Sequence, residues 1–316
     1  SKKAVYPATI VGIPPQEDVW LARATETIFL SPVRLTIQPE VIDFHMPETG
    51  VAHNLVIVKI KKNYPGQGMK VINSLLGAGQ MMLTKYIVVV SGSPDIRNYR
   101  ELVIEILNNT EFKYDVFFTQ GPLDVLDHSS DNFSFGGKAG IDATMKLPEE
   151  IAGREKMSVP DRSADIQTVA SLLKVQFIKV LNISLLKGGI RIAVLGVNPS
   201  EDRAYPGKVI ELLKHEGLAG IFRLVIIVDH TVNTDDLYTV AWQTLGNTDP
   251  RRDHYVISPY TILLDATIKF YQPGGFSRRW PNIVCSDTDT IDKVDTIWDT
   301  LGFDRFIPSP SLKHMI

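Results

Sequence analysis

The sequence holds one cysteine, Cys285, in 316 residues. A single thiol closes no internal disulfide, so cohesion must come from packing, and a reducing cytoplasm is the simplest setting. No basic residue flanks Cys285 to favour its thiolate, so it reads as structural. Long apolar runs are also missing. The longest, Tyr86 to Val90 and Leu224 to Val228, have strand length, far short of the roughly 20 residues that cross a bilayer, so no transmembrane segment is expected. The opening SKKAVYPATIV has two lysines but neither an apolar core nor a small-residue cleavage site, which excludes a signal peptide reading. Charge of one sign is lacking too: 33 Lys and Arg stand against 36 Asp and Glu, a net −3. No global basic field is available, so nucleic acid is not an expected partner. There is no HxH or HExxH pattern, no GxGxxG and no Walker loop, so a zinc site and an independent nucleotide-binding α/β protein rank low. Asp287, Asp289 and Asp292 lack the glycine and terminal glutamate of a calcium loop and read as solvated acids near a helix start.

What is present suits a soluble globular protein: 44% hydrophobic and 22% charged residues, in a chain long enough for two ordinary domains. The informative feature is an internal repeat. NLVIVKIKKNYPGQGMKVINSLLGAG, Asn54 to Gly79, matches IRIAVLGVNPSEDRAYPGKVIELLKHEGLAG, Ile190 to Gly220. TKYIVVVSG from Thr84 matches FRLVIIVDH from Phe222, DIRNYRELVIEILNNTE from Asp95 matches NTDDLYTVAWQTLGNTD from Asn233, and YDVFFT from Tyr114 matches HYVISP from His254. GIDATMK, Gly140 to Lys146, matches LLDATIK, Leu263 to Lys269. Matches in one order imply duplication of one unit, and the second copy lacks a loop like SSDNFSFGGKAG.

Each unit reads physically. Val56, Val58 and Ile60 alternate with Ile57, Lys59 and Lys61, which predicts a strand with one more polar face. YIVVV and LVIIV are continuous and β-branched, as strands buried on both faces are. Val71, Ile72, Leu75 and Leu76 form a helical stripe, as do Val209, Ile210, Leu212 and Leu213, with Pro206 able to start its helix. Leu102, Ile104, Ile106 and Leu107 predict a second helix ending at Asn108 and Asn109. The fold class is therefore α/β: two tandem copies of a layered β-α-β-α-β unit plus a carboxy-terminal helix. The domains are 1–150 and 151–316, the second a diverged copy with its terminal helix at 290–301. A lead-in strand over Val5 to Val11, a turn at Gly12 to Pro15 and a helix over Glu17 to Phe29 precede the first unit. Residues 147–164, polar and broken by proline and glycine, read as the link. The terminal helix carries an apolar stripe of Ile291, Val294, Ile297 and Trp298, and the tail FIPSPSLKHMI reads as loose.

At these residues the chain resembles the carboxy-terminal region of UbiD-type (3-octaprenyl-4-hydroxybenzoate carboxy-lyase-like) decarboxylases. TIVGIPPQEDVWL, VKIKKNYPGQ, LTKYIVVV, DIRNYRELV and GPLDVLDHSS follow in the family's order, and GGKAGIDATMKLPEE, Gly136 to Glu150, is the most specific match. FSRRWP and VDTIWDTLGF resemble the family's end. The resemblance is strong over 4–150 and weaker over 185–303. It implies non-oxidative decarboxylation of an aromatic or α,β-unsaturated acid, such as a precursor of ubiquinone or menaquinone, with prenylated FMN, Mn2+ and K+ in the full-length enzyme. It places the metal-binding Asn/His/Glu set and the proton-transferring Arg with two acids on the amino-terminal side of Thr9. The sequence starts with serine rather than methionine, and the resemblance implies a fragment whose partner is its own upstream flavin-binding region. Alone it would be inactive and bind no cofactor, contributing pocket wall and oligomer assembly, with the carboxy-terminal helix docking onto another protomer.

The resemblance also marks site residues. Leu123 matches an apolar residue lining the substrate pocket, and Leu21 and Ala22 fall near another lining position. Gly79 stands where relatives carry Lys or Arg reaching the flavin phosphate, so a basic contact either comes from elsewhere, with Lys85 and Lys70 the candidates, or is missing. From the residues themselves, Asp124, Asp127 and His128 form a candidate proton or metal site, against the plainer reading of loop neighbours that point apart. Gly136-Gly137-Lys138 reads either as an anion cradle or, preferably, as a flexible turn. Asp142 and Lys146 recur as Asp265 and Lys269, which argues for a structural role such as capping a turn. The rival to an enzyme fragment is a non-enzymatic assembly or interaction module, and the missing counterpart of GPLDVLDHSS between Ser258 and Leu264 is the feature that favours it for the second copy.

Overall fold

A computed structural model describes residues 16–92, 95–155, 166–270, 276–281, 283 and 285–314. The expected strand over Val5 to Val11, the turn at Gly12 to Pro15 and the second half of the link lie outside the described residues.

Two five-stranded sheets follow one another along the chain. The first contains β1 (Val41–His45), β2 (Leu55–Ile60), β3 (Tyr86–Ser91), β4 (Val116–Pro122) and β5 (Phe135–Ala143), in the order β1-β2-β3-β5-β4. The second contains β6 (Ile178–Asn182), β7 (Ile192–Val197), β8 (Leu224–Asp229), β9 (His254–Ser258) and β10 (Thr261–Asp265), in the identical order β6-β7-β8-β10-β9. In each sheet the three inner strands are parallel and the two edge strands antiparallel. The duplication and the α/β class stand, and each unit gains one edge strand, β1 or β6, and one inner strand, β5 or β10, beyond β-α-β-α-β. The helices are α1 (Gln16–Pro32), α2 (Gln67–Leu76), α3 (Tyr99–Asn109), α4 (Pro148–Ile151), α5 (Ile166–Leu172), α6 (Ser184–Lys187), α7 (Tyr205–His215), α8 (Leu237–Asn247) and α9 (Thr288–Ile297).

Side-chain alternation on β2 sends Val56, Val58 and Ile60 into one core with Val71, Ile72 and Leu75 of α2. Ile57 goes to the opposite core with Val88, Val90 and Leu102 of α3. The face expected to be more polar is therefore covered by α3 at Ile57, while its ends, Leu55 and Lys59, are half-exposed. The Tyr-Pro-Gly match is out of phase. Tyr64 precedes α2 by three residues, whereas Tyr205 is the first residue of α7. Core positions decide the alignment, because Val71 and Leu75 correspond to Val209 and Leu213. Gln67 therefore occupies the place of Tyr205, and both are buried.

The two copies share a core. Leu107 and Phe112, with Val103 and Ile104 of α3, pack against Ile192, Val194, Ile226 and Val228 of the second sheet. Reciprocally, Trp242 of α8 packs on Val51 of the first copy. The equivalent helices α3 and α8 thus both lie in the seam. This explains why α8 buries Thr239, Val240, Trp242, Gln243, Thr244, Gly246 and Asn247, nearly its whole circumference.

The repeated Asp-Ala-Thr segments do the same local work twice. Asp142 Oδ1 accepts from Thr144 N at 3.0 Å, and Asp265 Oδ1 from Thr267 N at 3.2 Å. Lys146 Nζ donates to the carbonyls of Asp142 and Thr144, and Lys269 Nζ to those of Asp265 and Thr267. The structural reading of this pair holds. Gly136-Gly137-Lys138 is neither a flexible turn nor a cradle for an outside anion. It lies in β5, where Gly137 N donates to Asp249 Oδ2 at 2.9 Å. A Cβ on Gly137 would fall 2.1 Å from Asp249 Oδ1, so glycine is needed for the approach of the second copy. At the carboxy terminus Asp287 caps α9 through Thr290 N, 2.9 Å, but the expected stripe is only partly buried: Ile291 is covered while Val294 and Ile297 are exposed.

Candidate functional site

The two copies differ most where strands β4 and β5 connect. In the second copy Pro259 and Tyr260 alone separate β9 from β10, whereas Leu123 to Ser134 intervene in the first. A two-residue connection suffices for a hairpin, so the longer loop has another purpose. Its residues Asp127, His128, Ser129 and Ser130 are all at most 1% exposed. Polar groups so deeply buried must be satisfied internally.

Asp127 is the hub. Lys85, fully buried at the start of β3, donates through Nζ to Asp127 Oδ2 at 2.8 Å and to Ser129 Oγ at 3.0 Å. Asp127 Oδ1 accepts from Ser129 N at 3.0 Å and Ser130 N at 3.1 Å. Burial alone would raise this carboxyl, but the charge of Lys85 and the hydrogen bonds from Lys85 and Ser130 hold it well below the usual carboxylate range. Lys138 on β5 donates to the carbonyls of Met82, 2.6 Å, and Thr84, 2.7 Å. Burial pushes its ammonium down to about 8 against the pull of Asp127.

The second copy and the segment before α9 close over the loop. Asn247 fixes its amide by donating to Ala266 O, 3.1 Å, so its Oδ1 accepts from His128 Nε2 at 3.0 Å. Burial pushes His128 down to about 4. Trp280 stands edge-on to its ring at 4.9 Å. Arg278 Nη1 donates to the carbonyls of Asp127 and Ser130, and Arg252 Nη1 to Asp131 Oδ1 at 2.8 Å. Tyr86 Oη meets Thr248 Oγ1 at 2.5 Å and His254 Nε2 at 3.2 Å.

The expected site residues fall into three places. Leu123 is 3% exposed and leans over Gly136, where an added Cβ would lie 2.8 Å from its Cδ1. Ala22 packs in the core with Val33 and Met81, while Leu21, its neighbour on α1, is 54% exposed. Lys70 lies on the surface with Glu40 Oε1 at 2.5 Å, apart from the buried Lys85. Asp127 and His128 are committed to internal partners, and Asp124 caps its own turn by accepting from Leu126 N at 2.8 Å. Asp124 also faces His53, with Oδ2 3.9 Å from Nδ1. His53 Nε2 is buried and makes no hydrogen bond to any described residue. Burial pushes this imidazole down, opposed by the carboxylates of Asp124 and Asp127. His53 escaped the sequence reading because it is one of several scattered histidines. The available signal was Lys138 in the middle of a strand, which demands a buried polar cluster.

No helix of the described residues is long and apolar enough to cross a membrane. Among them no three His, Cys, Asp or Glu side chains converge as metal ligands, and the buried lysines are spent on internal acceptors. The described residues therefore do not by themselves fit a manganese-bridged flavin phosphate.

The fold and this site define a duplicated α/β domain in which one copy carries a buried polar loop and the other covers it. The family described as 3-octaprenyl-4-hydroxybenzoate carboxy-lyase C-terminal domain matches over residues 19–143 and again over 164–275. The chain belongs to this UbiD family. An uncharacterized protein of Helicobacter pylori (strain J99 / ATCC 700824) is 33% identical over 301 residues, covering 93% of this chain and 46% of its own length. One from Aquifex aeolicus (strain VF5) is 44% identical over 166 residues, 52% of this chain and 34% of that protein. The chain thus spans less than half the length of these relatives. Among solved structures, the UbiD-class enzyme HmfF from Pelotomaculum thermopropionicum in complex with FMN is 25% identical, covering 46% of this chain and 33% of its own, with TM-score 0.38. Vanillic acid decarboxylase of Sedimentibacter hydroxybenzoicus in open form is 23% identical, covering 55% and 35%, with TM-score 0.40.

Proposed function

We propose that this chain is the carboxy-terminal portion of a UbiD-like carboxy-lyase that decarboxylates an aromatic or α,β-unsaturated acid, a quinone precursor among the candidates, in the cytoplasm. In this reading prenylated FMN, Mn2+ and K+ are held by a region outside the chain, and the isolated chain is inactive. The observation that carries the reading is the loop Leu123 to Ser134, kept only in the first copy, which sets Asp124 against His53 and leaves His53 Nε2 buried without a hydrogen-bond partner among the described residues. A buried imidazole with one unsatisfied nitrogen suits a group that meets a substrate or a neighbouring region. We assign proton handling to Asp124 with His53, and structural support to Asp127, His128 and Lys85. Leu123, at the root of the loop, and Leu21, exposed on α1, are the pocket-wall residues, with Ala22 setting the position of α1. Lys70, on the surface, is the phosphate contact that remains free to change partners.

The second copy, 151–316, is the non-enzymatic part. Its Asn247, Asp249 and Arg252 brace the loop and β5 of the first copy, 1–150. Val294, Leu301, Phe303 and Phe306 stand exposed around Trp298, and we propose that they dock onto a second copy of the chain. Removing residues 290–316 then lowers the oligomeric mass by light scattering, and an unchanged mass contradicts the docking. For the activity, the longer protein loaded with prenylated FMN, Mn2+ and K+ is assayed for CO2 release from a panel of aromatic acids. His53→Gln should lower kcat by about 100-fold or more, the range for loss of a general acid or base. Wild-type kcat and KM in that variant would refute the assignment.

A further inference from the structure

A second constellation stands apart from the loop, on the β1 side of the first sheet. His45, the last residue of β1, is 1% exposed and is held from both sides. Its Nδ1 lies 2.8 Å from Glu26 Oε1 on α1, and its Nε2 lies 2.8 Å from the hydroxyl of Tyr99, the first residue of α3. Glu26 Oε1 also accepts from Met46 N at 2.6 Å and from Arg23 Nη1 at 3.2 Å. Burial acts to raise Glu26, but the hydrogen bonds from His45 and Met46 with the charge of Arg23 hold it below its ordinary value, so it is a carboxylate. Nδ1 also has Arg23 Nη1 at 3.2 Å, but the carboxylate oxygen at 2.8 Å is the nearer partner and favours the proton on Nδ1. Nε2 then presents its lone pair, and Tyr99 must donate to it. Carboxylate, imidazole and hydroxyl stand in the order that activates a nucleophile.

The fold does not need this arrangement, and the second copy shows it. His45 pairs with Ile57 in the first sheet, and Asn182 with Val194 at the same place in the second. Asn182 spends its side chain on the Thr234 carbonyl, 2.6 Å, and on Ser184 N, 2.9 Å. Leu237, the residue after the cap Asp236, stands where Tyr99 follows the cap Asn98. One copy therefore ties the same elements together without histidine or tyrosine. The turn after His45 is strained as well. Val51 and Ala52 take left-handed φ values of 48° and 63°, costly for non-glycine residues and above all for a β-branched one.

Tyr99 is 48% exposed, so the residue that carries this hydroxyl lies at the protein surface, where a ligand can approach it. The charged and titratable groups around it are Arg23 and Glu26 of α1, Glu48, Arg97 before α3, and Tyr238 of α8. Burial keeps the phenol above its ordinary range, partly offset by Arg23 and Arg97, so it rests neutral, as a nucleophilic hydroxyl awaiting a base does. The two guanidiniums favour the negative charge that develops in attack.

We propose that Tyr99 is the nucleophile of a second reactive centre that accepts an acyl group from an activated ester or thioester. Tyr99 Oη attacks the acyl carbon and forms a C–O bond while its proton moves to His45 Nε2. The imidazolium is held by Glu26. The bond to the leaving group then breaks, the alcohol or thiol departs with the proton from His45, and O-acyl tyrosine remains. No oxidant or reductant takes part, and the proposal is independent of the carboxy-lyase reading.

The probe is p-nitrophenyl acetate, added to the whole chain, with p-nitrophenol release followed optically and acetylation located by peptide mass spectrometry. Tyr99 should be acetylated at least tenfold faster than Tyr64 and Tyr114, which are about as exposed but lack a histidine partner. Its rate should not follow phenolate formation, whereas a plain phenol keeps gaining rate up to about pH 10. Tyr99→Phe should abolish the burst, and His45→Gln should slow it at least tenfold with an unchanged thermal melt. If His45→Gln does not fold, the pH profile and Tyr99→Phe decide. Acetylation of Tyr99 no faster than that of Tyr64 and Tyr114, or a rate that climbs with phenolate alone, overturns the proposal.

Discussion

His128 is sealed as a neutral imidazole in the seam between the copies, so acid should loosen that seam in a calculable way. Its folded-state pKa is pushed from 6.5 down to about 4 by burial. The unfolded chain binds this proton first as pH falls. The stability held by His128 is therefore complete above pH 6.5, declines from there to about 4, and changes no further below. The whole span is worth about 3.4 kcal/mol, and about 1.4 kcal/mol of it is gone at pH 5.5 relative to pH 8. His53 and His254 are shifted in the same direction by burial. Asp229 works in the opposite sense, since burial raises it to about 6 and the folded state takes its proton first. A comparison with His128→Gln cancels these other groups. Urea unfolding of both proteins at pH 8 and pH 5.5 should show the wild type losing about 1.4 kcal/mol more than the variant over that interval. The variant's lower stability at pH 8 is irrelevant to this difference. Parallel pH dependences would refute the burial argument and place His128 in contact with water.

Two further perturbations test the same seam. Lys85→Met leaves Asp127 ionised and buried with its main counter-charge gone, and should cost about 3–5 kcal/mol in urea unfolding, while Lys85→Met with Asp127→Leu should recover part of that loss. Gly137→Ala drives a Cβ into Asp249 and the Arg251 backbone, and should destabilise by about 1–3 kcal/mol in a thermal melt. The penalty should shrink in an Asp249→Ala background, although the Arg251 backbone keeps it above zero.

The duplication, the strand and helix identities and the family were legible because they rest on local pattern. Continuous β-branched runs such as YIVVV can only be inner strands, and repeated Asp-Ala-Thr-x-Lys segments carry their hydrogen bonds within a few residues. What escaped the sequence depends on distance along the chain. The seam joins α3 to β7 and β8, the first of which begins at Ile192, and nothing in the stripe of α3 shows that its outer side meets another copy. Gly137 reads as turn chemistry until Asp249 arrives to occupy its amide. The Tyr-Pro-Gly match misled by three residues because identical letters outweighed the core positions Val209 and Leu213, which fix the phase of α7. His53 and Asp124 are far apart in sequence, so only folding makes them neighbours.

The central claim is that this chain completes, but does not itself form, a flavin site. Titration of the purified chain with prenylated FMN and Mn2+, followed by flavin fluorescence and a thermal melt, tests it most directly. The account predicts no saturable change in fluorescence and no rise in Tm. Stoichiometric binding with a raised Tm would contradict it and would require a cofactor site within residues 70–146 of the first copy.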